Sequence, residues 1–170
     1  MNTVDFLDIA TAICPDRAAI IFEGKKYTFT ELAQRVNKLA DALSKLGIQK
    51  GDRLAILQVN CNQYIEAYFA TAKLGGIFVP LHFRAKQDEL THMLGNAEAS
   101  ILFIGERYFD LVNSMRPSLP SIKHYISIDG KPEGMLSYEE LLASGSPEEK
   151  KFAEINDDAA TALLYTAGTT

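Results

Sequence analysis

The residues with the most chemical potential lie at the end of the chain. Tyr165-Thr166-Ala167-Gly168-Thr169-Thr170 joins hydroxyls and a glycine to an apolar run, Ala162-Leu163-Leu164-Tyr165. A backbone loosened by glycine can turn its amides inward, and threonine hydroxyls add further donors, a combination that suits phosphate oxygens. Hydroxyl-rich stretches after strands also serve as plain turns, so these six residues alone leave both readings open. A Walker A loop would need Gly-x-x-x-x-Gly-Lys-Ser/Thr, and a dinucleotide site would show Gly-x-Gly-x-x-Gly. The sequence contains neither.

Other reactive side chains are scattered. His82, His92 and His124 could titrate near neutrality, but none sits in a nucleophile or metal pattern. His82 follows Val79-Pro80-Leu81 at a strand end and is the one histidine placed to approach a ligand. The other two read as structural. Cys61 follows Val59-Asn60 at another strand end, where a reactive thiol would need a nearby cation or helix terminus; an idle cysteine is the simpler reading. Tyr64, Tyr68 and Phe69 recur at helical spacing and read as core or helix interface.

The elements that must carry these residues follow from periodicity. A helical start near Val4 to Ile13 precedes two strands within Ala18 to Phe29, turned at Glu23-Gly24. Thr28-Phe29-Thr30-Glu31 has capping-box spacing. Leu32, Val36, Leu39, Leu43 and Leu46 then line one helical face, with Gly47 as its left-handed cap. Leu54-Ala55-Ile56-Leu57 is a continuous apolar run, as expected of a central strand covered on both faces. Alternation continues: helix near Gln63 to Leu74, strand Ile77 to Leu81, helix Gln87 to Gly95, strand Ser100 to Ile104, helix Tyr108 to Met115, strand Tyr125 to Ile128. A short helix at Ser137 to Glu140 and an exposed connection over Ala143 to Asp158 precede the final strand. This order predicts an α/β fold with a parallel-rich sheet flanked by helices.

Composition limits the function classes. The 170 residues suffice for one well-buried core. An apolar share of 47% with 23% charged residues is ordinary for a globular protein and excludes a disordered or fibrous chain. A net charge of −5 without clustered Lys and Arg argues against nucleic acid as a partner. No apolar run is long enough to span a bilayer; peripheral membrane contact and a homodimer stay open. Cys14 and Cys61 lack metal or redox spacing, and the start lacks a charged-then-apolar signal. The expectation is reduced thiols in a cytoplasmic protein.

Four dispersed motifs, in order, resemble one family. Tyr165 to Thr170 is similar to the first six positions of Tyr-Thr-Ser-Gly-Thr-Thr-Gly-x-Pro-Lys-Gly, with Ala167 in place of serine. Lys73-Leu74-Gly75-Gly76-Ile77-Phe78-Val79-Pro80-Leu81 resembles Leu-Lys-Ala-Gly-x-x-Tyr-Val-Pro-Leu. Tyr27 to Leu32 resembles Tyr-Thr-Tyr-x-Glu-Leu, and Gly51 to Ile56 resembles Gly-Asp-x-Val-Ala-Ile. These patterns belong to the adenylate-forming (AMP-binding, acyl-CoA synthetase-like) superfamily, and the resemblance spans nearly the whole chain.

The resemblance implies the N-terminal subdomain of the adenylate-forming enzyme fold, with residues 1–170 as the amino-terminal part of the adenylation domain, ending inside the phosphate-binding loop. It implies a carboxylic acid as substrate, ATP, Mg2+ and coenzyme A as cofactors, and two steps: carboxylate attack on the α-phosphorus of ATP, then transfer of the acyl group to a thiol. Thr166, Ala167, Gly168, Thr169 and Thr170 would be the ATP-phosphate-binding set, and no catalytic residue or metal ligand falls within the chain. Losing the serine hydroxyl at Ala167 removes about 0.5 to 1.5 kcal/mol. The lysine that follows in the motif is worth roughly 1.5 to 3 kcal/mol as a charge-assisted contact, so residues 1–170 alone are expected to be inactive. A fatty-acyl-CoA synthetase is the favoured parent. An amino-acid-adenylating domain of peptide synthesis, or a non-catalytic nucleotide- or partner-binding module, is the alternative.

Overall fold

The computed structural model describes residues 1–166. Helix α1 (Thr3–Ile13) is followed by the antiparallel pair β1 (Ala18–Phe22) and β2 (Lys25–Thr28). The hairpin turns at Glu23 and Gly24, both with positive φ (48° and 78°), as a two-residue turn matched to strand twist demands. Helix α2 (Phe29–Lys45) starts at the expected capping box: Glu31 N donates to Thr28 Oγ1 at 3.1 Å, and Thr28 N donates to Glu31 Oε2 at 2.7 Å. It buries Leu32, Val36, Leu39 and Leu43 and stops before Gly47, whose φ of 87° is the left-handed conformation glycine tolerates.

The rest alternates as the periodicity requires: β3 (Arg53–Leu57), α3 (Asn62–Lys73), β4 (Ile77–Pro80), α4 (Gln87–Ala97), β5 (Ile101–Ile104), α5 (Phe109–Met115), β6 (His124–Ser127), β7 (Leu136–Ser137) and α6 (Tyr138–Ser144). The second sheet has the order β4-β3-β5-β6-β7 and every pairing in it is parallel. Leu54 and Ile56 of β3 face a core shared with α2, α3 and α6, whereas Ala55 and Leu57 face one shared with α4 and α5. Helices therefore cover both faces, which explains why β3 is apolar from Leu54 to Leu57 and β5 throughout. The two-residue β7 was too short to announce itself in the sequence.

A further segment extends the sheet beyond β4. Phe78 N donates to Thr161 O, and Leu163 N donates to Phe78 O, each at 2.9 Å, with Ala162 opposite Phe78 in parallel. This is the strand expected at Ala162 to Tyr165, but its place at the sheet edge covers only one side. Leu163 and Tyr165 pack inward, whereas Leu164 is 68% exposed.

The connection into this edge strand is exposed in its side chains, as expected, yet firmly held. Gly145 lies against α2 so closely that a Cβ there would sit 1.9 Å from Lys38 O. Asn37 Nδ2 donates to Pro147 O at 3.0 Å, and Lys50 Nζ to Glu154 O at 2.6 Å. The main anchor is Asp41, whose side chain is 4% exposed. It accepts from Lys150 Nζ at 2.6 Å, from Ser146 N at 2.9 Å and from Lys45 Nζ at 2.8 Å.

Those bonds, Lys150 first and then Lys45 and Ser146, hold the Asp41 carboxyl far below its ordinary value of 3.8. A depressed carboxylate stabilises the fold above its unfolded-state value, and the contribution is lost as pH falls toward its folded value. Asp41→Asn should cost about 1.5 to 3 kcal/mol at pH 7 in urea unfolding. The gap between wild type and variant should stay level at pH 5 to 8 and narrow below 3.8.

Candidate functional site

In a parallel sheet all strands end on one edge, where ligands of α/β proteins bind. Here that edge carries Gln58 and Asn60 after β3, the turn His82-Phe83-Arg84 after β4, Gly105 after β5 and Asp129 after β6. The edge segment 161–163, bridged in parallel to Phe78 of β4 through Ala162, directs Tyr165 and Thr166 toward this same edge. Of the residues expected to bind phosphate, Thr166 is exposed at the end of this run; Ala167, Gly168, Thr169 and Thr170 lie outside the described residues. Tyr165 is gripped by α4, with its hydroxyl 2.9 Å from Met93 O and 2.8 Å from Asn96 Oδ1. Burial raises the Tyr165 phenol above its usual value, so the hydroxyl keeps its proton at neutral pH.

His82 is exposed just past the end of β4. Its Nδ1 accepts from Arg84 N at 3.3 Å, its ring centroid lies 5.4 Å from that of Phe83, and Arg84 covers the other aromatic partner with its guanidinium 5.0 Å from the Phe83 ring. Arg84 is thus an exposed cation at the edge, which sequence reading passed over because one arginine in a turn carries no pattern. His92 sits exposed on α4 and His124 begins β6.

A cleft of about 450 Å3 opens at the ends of β3 and β6, bounded by Lys25, Gln58, Asn60, Cys61 and Asp129. Beneath it lies a buried polar cluster. Glu66 Oε1 accepts from Arg35 Nε at 2.8 Å and Asn62 Nδ2 at 2.7 Å, Glu66 Oε2 accepts from Tyr138 Oη at 2.8 Å, and Arg35 continues to Glu139 at 2.8 Å. Burial pushes the Tyr138 phenol well above its usual value, with the Glu66 charge adding to it. Burial alone would lower the Arg35 value, but its bonds to Glu66 and Glu139 outweigh that and raise it. The cluster is paired internally and forms a rigid floor. A larger cavity, about 600 Å3, lies between α1 and residues 149–156, away from the hydroxyl run.

Tyr64 and Tyr68 pack edge-on against Phe78 at 5.5 and 5.6 Å, which makes them the core support of β4. Among the described residues no group of three or more His, Cys, Asp or Glu could hold a metal ion, and no helix is long and apolar enough to cross a membrane.

The comparisons agree with this arrangement. A family model described as AMP-binding enzyme matches residues 7–170. The chain belongs to the AMP-binding enzyme family. A long-chain-fatty-acid–CoA ligase of Thermus thermophilus is 33% identical over 175 residues, covering 100% of this chain and 32% of that protein. A 3-oxocholest-4-en-26-oate–CoA ligase of Rhodococcus rhodochrous is 31% identical, covering 100% of this chain and 31% of its own length. The chain therefore spans about a third of these relatives. An anthranilate CoA ligase solved with anthranoyl-AMP superposes with a TM-score of 0.95 at 24% identity, over 100% of this chain and 33% of that one. That likeness shows that the fold is that of the amino-terminal domains of adenylate-forming enzymes.

Cys61, at the head of α3 on the cleft wall, is pushed up to about 11, mainly by burial and further by the Asp129 and Glu66 charges. Relative to its usual value of 9.0, its thiolate population at neutral pH is depressed about 100-fold. Iodoacetamide at pH 7.5 should therefore modify Cys61 about 100-fold more slowly in the native protein than in the guanidine-unfolded chain, as read by peptide mass spectrometry.

Proposed function

We propose that this chain is the amino-terminal part of an ATP-dependent acid–CoA ligase, with a fatty acid as the favoured substrate class. The observation that carries the reading is a hydroxyl run of the family's phosphate-loop pattern launched from the edge strand beside β4. The membership of the chain and the CoA ligases among its relatives support it.

In this reading a carboxylate oxygen attacks the α-phosphorus of ATP, the bond to the β-phosphate oxygen breaks, and pyrophosphate leaves with that electron pair. A thiol then displaces AMP from the acyl carbon. The residues of the chain act on the leaving group: Thr166, Ala167, Gly168, Thr169 and Thr170 present hydroxyls and amides to the β- and γ-phosphates, where preorganised donors offset developing charge. The exposed Thr166 hydroxyl and the sheet-edge setting fit phosphate. A Mg2+ ion bound with ATP would supply further charge neutralisation, and the described residues offer it no ligand cluster.

The test uses the longer ligase that contains this chain. Acid-dependent ATP–pyrophosphate exchange and CoA-dependent AMP release should both appear, with long-chain fatty acids favoured across a panel of fatty, aryl and amino acids. Exchange supported only by amino acids, or none with any acid, would overturn the reading. Residues 1–170 alone should give no exchange and no micromolar Mg-ATP binding by calorimetry, because the lysine-bearing half of the loop pattern is missing from them.

A further inference from the structure

The edge strand is thinly attached. Two backbone hydrogen bonds tie it to Phe78, its outer residues Ala162 and Leu164 are exposed, and past Leu163 the described contact holding the chain to the fold is the Tyr165 side chain. The direction in which Thr166 leaves the sheet is then set by where the Tyr165 phenol is held. We propose that Asn96 is a positioning residue for the hydroxyl run: together with the Met93 carbonyl it clamps the Tyr165 phenol on the last turns of α4 and so aims Thr166. This rests on the ligase reading for its functional consequence, though not for the clamp itself.

Hydrogen-bond counting specifies how the clamp works. The phenol has one proton, and the Met93 carbonyl can only accept, so the hydroxyl donates to Met93 O. Asn96 Oδ1 lies 2.8 Å from the same phenol oxygen; since one proton cannot serve both acceptors, a half-turn of the amide, which exchanges its O and N, would let the NH2 group donate to the phenol and complete the pair. The turn that carries Asn96 is itself fixed. Arg53 at the start of β3 donates from Nε to Ala97 O at 2.6 Å and pairs with Glu98 at 2.7 Å. Asn96 and Ala162 also face a common cleft of about 350 Å3 with Arg53 and Ile77, which places the clamp directly beside the edge strand. Asn96 thereby links the hydroxyl run to the rigid β3–α4 corner rather than to the loosely held strand.

The experiment is a double-mutant cycle of Asn96→Ala and Tyr165→Phe in the longer ligase. One lost hydrogen bond at a partly exposed site should raise the KM for ATP roughly threefold, with kcat changed less and the melting temperature within a degree or so of wild type. In the Tyr165→Phe background Asn96→Ala should add nothing, because the shared partner is gone. In parallel, Asn96→Ala in the 170-residue chain should speed amide exchange at Leu163, whose N–H donates to Phe78 O two residues before the clamped phenol, roughly threefold while the Leu102 and Phe103 amides of β5 stay unchanged. An unaltered KM, an effect of Asn96→Ala that persists in the Tyr165→Phe background, a loss confined to kcat, or unaltered Leu163 exchange would overturn the clamp. If the wild-type ligase turns over no acid, the ligase reading fails, and the exchange measurement still decides the clamp.

Discussion

Parallel pairing forces every strand of the main sheet to end on the same edge, and the arrangement of the molecule follows from this constraint. A parallel strand cannot follow its neighbour through a tight turn; it needs a crossover, and from β3 to β6 the crossovers are α3, α4 and α5, whereas the irregular segment 128–135 joins β6 to β7. Those helices bury the sheet on both sides, so β3 from Leu54 onward and all of β5 can be apolar without exposing a face. The polar groups of the strand ends, excluded from these cores, collect along the carboxyl edge.

The edge strand adds a difficulty that the rest of the sheet lacks. It arrives from α6, which follows β7 at the far end of the sheet, and must cross the α2 side to reach β4. A free linker of that kind would give the strand many registers at small cost in loop entropy. Asp41, Asn37 and Lys50 restrict that freedom by gripping Ser146, Pro147, Lys150 and Glu154. The path of the chain is thus fixed on one side of the sheet by charge pairing and on the other by the Tyr165 contact with α4.

Local features were legible in the sequence because their causes are local. The Thr28–Glu31 capping box, the Glu23-Gly24 turn, the Gly47 cap and the apolar run of β3 each depend on residues a few positions apart, and each is found where the pattern places it. The hydroxyl run was legible as spacing; of it, Thr166 is described and is exposed past the segment that pairs with β4. What the sequence did not disclose are pairings across distance. Asp41 and Lys150 are 109 residues apart, Glu66 and Tyr138 72 apart, and Asn96 and Tyr165 69 apart. No periodicity marks such partners, because they are selected by the packed fold. Leu164 shows the same limit: its type suggested burial, and only its position on an edge explains its exposure.

The central claim is that residues 161–163 pair in parallel with β4 and so direct Tyr165 and Thr166 toward the carboxyl edge. The direct measurement is nuclear magnetic resonance on the labelled chain, reading amide exchange at Phe78 and Leu163 together with cross-strand Overhauser contacts between Phe78 and residues 161–163. The account predicts that both amides are protected well above an unfolded peptide and that the contacts match a parallel register with Ala162 opposite Phe78. Solvent-like exchange of the Phe78 amide, or contacts of an antiparallel register, would contradict it.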